Sequence, residues 1–237
     1  MANNFLILFR IFLRKIGIIY LLKTFKIKNK KFWYKQYEDK QKIAISNNLK
    51  EGMIAFDIGA NEGLYTKLFA EIVKNKGSVF AFEPSQEAAK KIREMQLKFT
   101  NINLMECVVG ENEGVTKFEV NKEYPKSHNN KVSFDKNNIT NNSESINKKM
   151  ITIDSICQKF CIPNLIKIDV EGYELNVLKG ASKTLLSGEL KHVFIEIHFL
   201  LLQKMGQPFA PNEIRKLLTK SGFKVKYLDS NHIHAYK

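Results

Sequence analysis

The sequence predicts a doubly wound α/β fold, with a mostly parallel seven-stranded sheet and helices on both of its faces. From residue 51 onward, short apolar runs alternate with segments of helical periodicity, which is the pattern of βαβ units. The first apolar run leads into a glycine loop and the second ends in an acid, as at the ligand-binding edge of such sheets. The 237 residues, 44% of them hydrophobic, suffice to bury this core.

The elements follow in order along the chain. Strands are predicted for the apolar runs at 53–58, 78–82, 102–109, 165–170 and 192–197, with an antiparallel edge pair at 224–228 and 233–236. Helices are predicted where apolar residues recur on one face: from Leu64, from Pro84, at about 154–160, from Leu175 to a stop at Gly188, and at 211–221.

Residues 121–149 are predicted to interrupt this pattern, after a hairpin or edge strand at 115–120. They contain eight Asn and almost no apolar periodicity. Segments of this length inside a compact domain are usually lids, binding loops or disordered regions. We expect the segment to contribute to acceptor specificity, and the alternative is an insertion without a role.

The basic charge lies in the first 50 residues. The chain carries a net charge of +14, but this segment holds 12 of the 38 Lys and Arg and only two acids, so the remaining residues carry only +4. A charge confined to an appendage argues against a nucleic-acid surface on the fold. We therefore divide the chain into a basic helical extension, 1–50, and an α/β domain, 51–237.

The extension also bears on location. Residues 5–22 are nearly long enough to span a membrane, but Arg10, Arg14 and Lys15 interrupt them, and each such charge costs about 2.5–3.5 kcal/mol near the bilayer centre. No small-residue cleavage site follows, so a secretory signal is also disfavoured. The alternatives are a helix packed on the domain and peripheral contact with an anionic membrane through residues 5–31.

Cysteine usage agrees with a reducing compartment. The chain has three cysteines, too few for a disulfide scaffold, and the spacing of Cys157 and Cys161 lacks a second pair of zinc ligands. We expect a cytoplasmic protein, either free or peripheral on the inner face of a membrane.

The most informative segment is Asp57-Ile-Gly-Ala-Asn-Glu-Gly63, where the first strand passes into the first helix. Glycines allow the backbone to approach a ligand closely, and a helix N-terminus offers free N–H groups. The spacing differs from the dinucleotide pattern G-x-G-x-x-G, and the leading acid suits a cationic amine such as that of S-adenosylmethionine. Glu83 ends the second strand, where a ribose-binding acid lies in doubly wound folds.

With these motifs the chain resembles the FkbM-type class I methyltransferases, from about residue 53 to 198. The matching segments are DIGANEG (57–63), FEP (82–84), NINLMECVVG (101–110), LIKIDVEGYE (165–174), VLKGA (177–181) and EIH (196–198). The resemblance implies a Rossmann-like enzyme that moves the methyl group of S-adenosylmethionine to oxygen, commonly a hydroxyl of a sugar, glycan, glycolipid or related product.

The resemblance also implies the residues that contact S-adenosylmethionine. They are Asp57, Gly59, Asn61, Gly63, Glu83, Pro84, Cys107 and Val108. Cys107 is a departure, because the family often has Ala there, and this touches the adenine pocket only mildly.

Catalytic candidates follow the fourth and fifth strands, Asp169 and Glu171 after one and His198 after the other. A hydroxyl is a poor methyl acceptor until it loses its proton, so a base is required, and Asp169 or His198 could supply it. If His198 is the base, the rate should rise with pH through about 6 to 7. Glu171 could instead cap the next helix, and His198 could be an exposed strand-end histidine.

The sequence leaves three further alternatives. Asp169, Glu171, Glu196 and His198 could bind a divalent cation, but nothing in their spacing demands one, and no metal is predicted. A nucleic-acid methyltransferase is disfavoured because the Asn/Asp-Pro-Pro-aromatic motif is missing. A non-catalytic membrane module of the same fold is disfavoured because the site acids are retained.

The last two histidines are expected to be structural. His232 and His234 point to one face of a terminal strand, and the sequence places no acid or cysteine next to them.

Overall fold

The computed structural model describes residues 40–121, 131–132 and 143–237. The predicted membrane contact through residues 5–31 lies outside these residues, as does most of the Asn-rich segment. Within the described ranges, no helix combines the length and the apolar character that crossing a membrane requires.

Strands and helices alternate as the sequence pattern indicates. The strands are β1 (Ile54–Ile58), β2 (Ser78–Phe82), β3 (Ile102–Met105), β4 (Val108–Val109), β5 (Gly114–Asn121), β6 (Lys131–Val132), β7 (Ser143–Ile151), β8 (Leu165–Ile168), β9 (His192–Glu196), β10 (Lys224–Tyr227) and β11 (His232–Tyr236). The helices are α1 (40–48), α2 (Leu64–Val73), α3 (Gln86–Gln96), α4 (Ile153–Lys159), α5 (Glu174–Lys179), α6 (Phe199–Lys204) and α7 (Ala210–Lys220).

The central sheet has seven strands in the order β10-β11-β9-β8-β1-β2-β3. Its strands are parallel from β9 to β3, whereas β11 runs antiparallel to both of its neighbours. The predicted mostly parallel seven-stranded sheet is confirmed. Because β8 and β1 lie in the middle, their carboxyl ends meet at one edge, where open α/β sheets bind ligands.

Helices cover both faces of this sheet. Phe56 and Ile58 of β1 belong to one buried apolar cluster, together with residues of α5 and α7, whereas Ala55 belongs to a second cluster with residues of α2 and α3. Burial on both faces explains why the parallel strands read as continuous apolar runs. The second cluster also holds Ile45 and Leu49, so the end of the predicted extension packs on the domain. The domain boundary at residue 50 stays a prediction.

A second sheet of four strands, in the order β4-β7-β5-β6, stands beside the first. The predicted strand at 102–109 was wrong in its length. The chain leaves the central sheet after Met105 and joins the second sheet at Val108. The prediction of irregular structure was wrong for 143–149, which pairs with β5 as part of β7. In β7 the residues other than Ile146, Met150 and Ile151 are polar, so the sequence shows little alternation.

Two helices differ from the prediction. Helix α5 ends at Lys179 and not near Gly188, because the carboxylate of Asp154 accepts hydrogen bonds from the backbone N–H groups of Lys183 and Thr184 and turns the chain. Helix α6 was not predicted. Its end is followed by α7, which the pattern of residues 211–221 did predict.

Candidate functional site

The glycine loop follows β1 and crosses the edge of the sheet. Gly59 has a φ of 76° and donates its backbone N–H to the carbonyl of Phe82, 3.0 Å away. A Cβ at this position would overlap the carbonyl oxygen of Asp169, so only glycine fits between β2 and β8. Asn61 also adopts a left-handed conformation, with a φ of 49°. Strained backbone of this kind is often found at binding sites.

Glu83 joins this loop to the end of β2. Its carboxylate accepts two backbone hydrogen bonds, from Asn61 and from Ser85, both of 2.8 Å. Burial raises the pKa of Glu83 to about 7, although the two hydrogen bonds favour the charged form. The loop and the acid therefore form one unit.

A partly open cavity lies at this edge, where open α/β sheets bind ligands. Eight of the predicted site residues line it: Gly59, Asn61, Glu83, Pro84, Cys107, Val108, Asp169 and Glu171. The second sheet supplies Phe118 and Val132, and Tyr173 comes from the turn before α5. Val132 was not predicted because it lies within the segment that appeared irregular, and Phe118 lies in the segment that was expected only as a hairpin or edge strand.

Two predicted cofactor residues lie behind the cavity. Among the described residues, the wall includes neither Asp57 nor Gly63. Asp57 is fully buried and accepts a 2.6 Å hydrogen bond from the hydroxyl of Thr66. Gly63 is the N-cap of α2, with a φ of 83° that glycine favours. A direct contact between Asp57 and a cofactor amine stays a prediction.

Lys167 is the site residue that sequence reasoning missed. Only 3% of it is exposed, and its Nζ lies 3.1 Å from Oδ2 of Asp169 and 3.8 Å from Oδ1 of Asp57. The two aspartates raise the pKa of Lys167 against the opposing effect of burial, so this side chain stays charged. A lysine inside an otherwise apolar strand was the available signal, since an unpaired buried charge is costly.

His198 lies at the centre of an acidic cluster formed by the ends of β8 and β9. Its Nδ1 is 2.8 Å from Oε1 of Glu174, and its Nε2 faces Glu171, Asp169 and Glu196 at 3.3, 3.6 and 4.0 Å. The side chain is 16% exposed, so the alternative of an exposed strand-end histidine is wrong. All the predicted catalytic residues therefore come together.

The electrostatics of this cluster correct one expectation. Burial alone would lower the pKa of His198, but the hydrogen bond to Glu174 and the surrounding carboxylates outweigh it and raise that pKa to about 10. His198 is therefore an imidazolium at neutral pH. The expected rise in rate through pH 6 to 7 does not follow from this geometry.

Glu171 and Asp169 are held differently on the cavity wall. Glu171 has a φ of 51° and is not a helix cap, because the N-cap of α5 is Tyr173. Burial raises the pKa of Glu171 to about 8, and the neighbouring carboxylates add to this effect. In contrast, Lys167 and His198 outweigh the burial of Asp169 and lower its pKa.

The two terminal histidines have different surroundings. Nδ1 of His232 lies 2.8 Å from Oδ2 of Asp229, and its Nε2 lies 3.2 Å from Oε2 of Glu196, so the prediction that no acid accompanies it was wrong. These acids raise the pKa of His232 to about 9 against the effect of burial. His234 stacks on Phe194 with ring centroids 4.1 Å apart, in agreement with a structural role.

Comparison with known proteins gives matches of three kinds. A family model described as the methyltransferase FkbM domain matches residues 57–225. The hexuronic acid methyltransferase AglP of Haloferax volcanii is 27% identical over 175 residues, which cover 73% of this chain and 64% of AglP. The chain thus spans less than two thirds of that relative's length.

Solved structures also match the chain at low identity. Fibrillarin of Aeropyrum pernix, in complex with S-adenosylmethionine, is 12% identical with a TM-score of 0.47, over 80% of this chain and 67% of that chain. Precorrin-6y C5,15-methyltransferase of Geobacter metallireducens is 13% identical with a TM-score of 0.48, over 83% of this chain and 87% of that chain.

Proposed function

We propose, since this chain belongs to the FkbM methyltransferase family, that it transfers the methyl group of S-adenosylmethionine to a hydroxyl oxygen of a sugar or glycan. The observation that carries this proposal is the placement of Asp169 and Glu171. Both carboxylates line the same cavity as the glycine loop and Glu83. A proton acceptor and the predicted cofactor-binding residues thus line the same cavity.

The residues present fit the cofactor. Bound S-adenosylmethionine would supply an electrophilic methyl group on sulfur. Glu83 would accept hydrogen bonds from the ribose hydroxyls, since its carboxylate lines the cavity and is already oriented by the N–H groups of Asn61 and Ser85. Val108 and Cys107 contribute apolar wall beside Glu83 for the adenine ring. Gly59 has no side chain, so the cofactor can approach the backbone closely.

The acceptor would enter beside β8. There the carboxylate of Asp169, or that of Glu171 above its pKa of about 8, accepts a hydrogen bond from the hydroxyl, orients its oxygen and takes its proton as the new carbon–oxygen bond forms. His198 stabilises the negative charge of both carboxylates from the side away from the cavity wall. Positioning supplies most of the rate, and proton removal contributes roughly 10²–10⁴-fold.

A sugar acceptor is supported by chemistry and by one relative. Carboxylates near an imidazolium are suited to polar, hydroxyl-rich molecules, because each group can accept or donate a hydrogen bond. AglP is named as a hexuronic acid methyltransferase, and this name supports the proposal of a sugar acceptor. The acceptor itself would be selected by the loops beyond β8 and β9 and by the segment that joins β5 to β7.

The proposal can be tested with S-adenosylmethionine labelled at its methyl group. The full-length protein is incubated with uronic-acid glycans, neutral glycolipids and RNA in separate reactions, and incorporation into each is measured. We expect incorporation into a glycan or glycolipid, a large loss with Glu171→Gln and wild-type incorporation with the exposed control Glu189→Gln. Incorporation into RNA alone, or equal activity of both variants, would contradict the proposal.

A further inference from the structure

Hydrogen-bond partners around the acidic cluster hold its side chains in place. Three of its members are each held at one atom by a partner: Nζ of Lys167 donates to Oδ2 of Asp169 at 3.1 Å, and Nδ1 of His198 lies 2.8 Å from Oε1 of Glu174. Glu196 is held likewise, since its Oε2 lies 3.2 Å from His232, which is itself bound by Asp229.

The other polar atoms of these residues converge on one point. Oδ1 of Asp169 lies 3.6 Å from Nε2 of His198, and Oε1 of Glu196 lies 4.0 Å from the same nitrogen. These three residues offer ligand atoms that all lie within 4.8 Å of one another. Two ligands of one octahedral cation are about 3 Å apart at a right angle and about 4 Å apart when opposite. The cluster thus needs only a small contraction to surround a cation.

We propose that Asp169, Glu196 and His198 bind one divalent cation of the Mn²⁺ type beside the acceptor side of the cavity. This inference deepens the proposed function and rests on it. Two carboxylates and one imidazole suit a first-row divalent metal better than Ca²⁺, which takes oxygen ligands only. Imidazole binds metals in its neutral form, so uptake of the cation displaces one proton from His198.

An independent observation separates this site from an ordinary group of surface acids. Glu174 is fully buried, and its Oε1 holds the outer nitrogen of His198, which is the arrangement that orients a metal-binding imidazole. Its second oxygen, Oε2, has no hydrogen-bond partner within the part of the chain that the structure describes. A buried polar oxygen without a hydrogen bond is costly, and additional positive charge beside His198 would reduce that cost.

The cation would have a definite role in the reaction. Bound next to Asp169, it would coordinate the acceptor oxygen and lower the pKa of the hydroxyl, and Glu171 on the adjacent wall would take the proton. A sugar with a carboxylate group would also gain an electrostatic anchor in a site that is otherwise acidic. The three ligands come from the ends of β8 and β9, so they sit on rigid elements.

The test uses the full-length protein after treatment with a chelator, titrated with Mn²⁺ in the presence of S-adenosylmethionine. The signal of free Mn²⁺ in electron paramagnetic resonance reports binding without any methyl transfer. We expect one Mn²⁺ per chain, a loss of binding of roughly tenfold or more with His198→Ala and of roughly 10–100-fold with Glu174→Gln. The control is His192→Gln. His192 is the first residue of β9, whereas the cluster lies at and beyond the end of that strand, so this variant should bind Mn²⁺ like the wild type.

Spin-echo spectroscopy of Mn²⁺ bound to the wild type gives a second readout that needs no variant. Nitrogen modulation from one imidazole is expected, and its absence from bound Mn²⁺ would overturn the inference, as would a wild type that binds no Mn²⁺. Equal weakening in His192→Gln and His198→Ala would also overturn it. Methyl transfer to a sugar hydroxyl by metal-free protein would refute the role of the cation in the reaction alone, whereas Mn²⁺ binding without such transfer to any hydroxyl would refute the proposed function alone.

Discussion

Replacing Glu83 by Gln should weaken the binding of S-adenosylmethionine by a predictable amount. The wild-type carboxylate accepts hydrogen bonds from Asn61 and Ser85 and still faces the cavity. An amide has one acceptor oxygen, so its NH₂ group would face a backbone N–H, and the bonds to the ribose would lose their ionic partner. Hydrogen bonds to a charged group contribute about 1.5–3 kcal/mol, which corresponds to a roughly 10- to 150-fold higher Kd.

The same carboxylate predicts a pH dependence with a definite sign. Because burial raises the pKa of Glu83 to about 7, the group is neutral below that pH and charged above it. The charged form accepts hydrogen bonds from ribose, so affinity should rise with pH, by about tenfold between pH 6 and pH 8. In Glu83→Gln this rise should disappear.

Isothermal titration calorimetry at three pH values measures both effects. Glu87→Gln is the matched control, since Glu87 is an exposed acid in the first turn of α3, four residues further along the chain. The reasoning is refuted if Glu83→Gln binds S-adenosylmethionine as tightly as the wild type at pH 8. It is also refuted if the variant retains the full pH dependence.

Three further changes test the frame of the site. Gly59→Ala forces a Cβ onto the neighbouring strand at a positive φ and should destabilise the fold by about 2–4 kcal/mol in chemical unfolding, whereas Gly188→Ala, with open space around it, should be nearly neutral. Lys167→Met leaves the buried Asp57 and the half-buried Asp169 without their cation and should cost about 3–5 kcal/mol of unfolding free energy, against about 0.5 kcal/mol or less for the exposed Lys191→Met. Glu171→Gln should slow turnover by roughly 10²–10⁴-fold with little change in cofactor affinity in calorimetry; normal turnover would exclude its role.

Much of the fold could be predicted from the sequence, because the patterns that indicate strands and helices are local. The parallel strands are buried on both faces and therefore read as apolar runs, and the strand predicted at 78–82 has the observed bounds of β2. The match to the methyltransferase FkbM domain confirms the predicted family. The second sheet escaped prediction because β7 is mostly polar and pairs with a strand that lies about thirty residues earlier in the chain.

The sequence predicted which residues form the site but not how these residues pair with one another. Asp169, Glu171 and His198 could be placed at one edge from strand order alone. What the sequence could not show was the effect of neighbours distant in the chain. Glu174 bonds His198 across 24 positions and helps raise its pKa to about 10, which removes the expected titration near pH 6 to 7. Burial of Asp57 likewise depends on the packing of α2 against β1.

The central claim is that the methyl group reaches oxygen, and the position of the label in the product tests it most directly. The protein is incubated with ¹³C-methyl S-adenosylmethionine and a uronic-acid glycan, and the product is analysed by carbon–proton correlation NMR. The proposal predicts a single methoxy signal, correlated through three bonds with a sugar ring proton and missing from the reaction with Glu171→Gln. A label on nitrogen or carbon, or a methoxy signal that is as strong with that variant, would contradict the account.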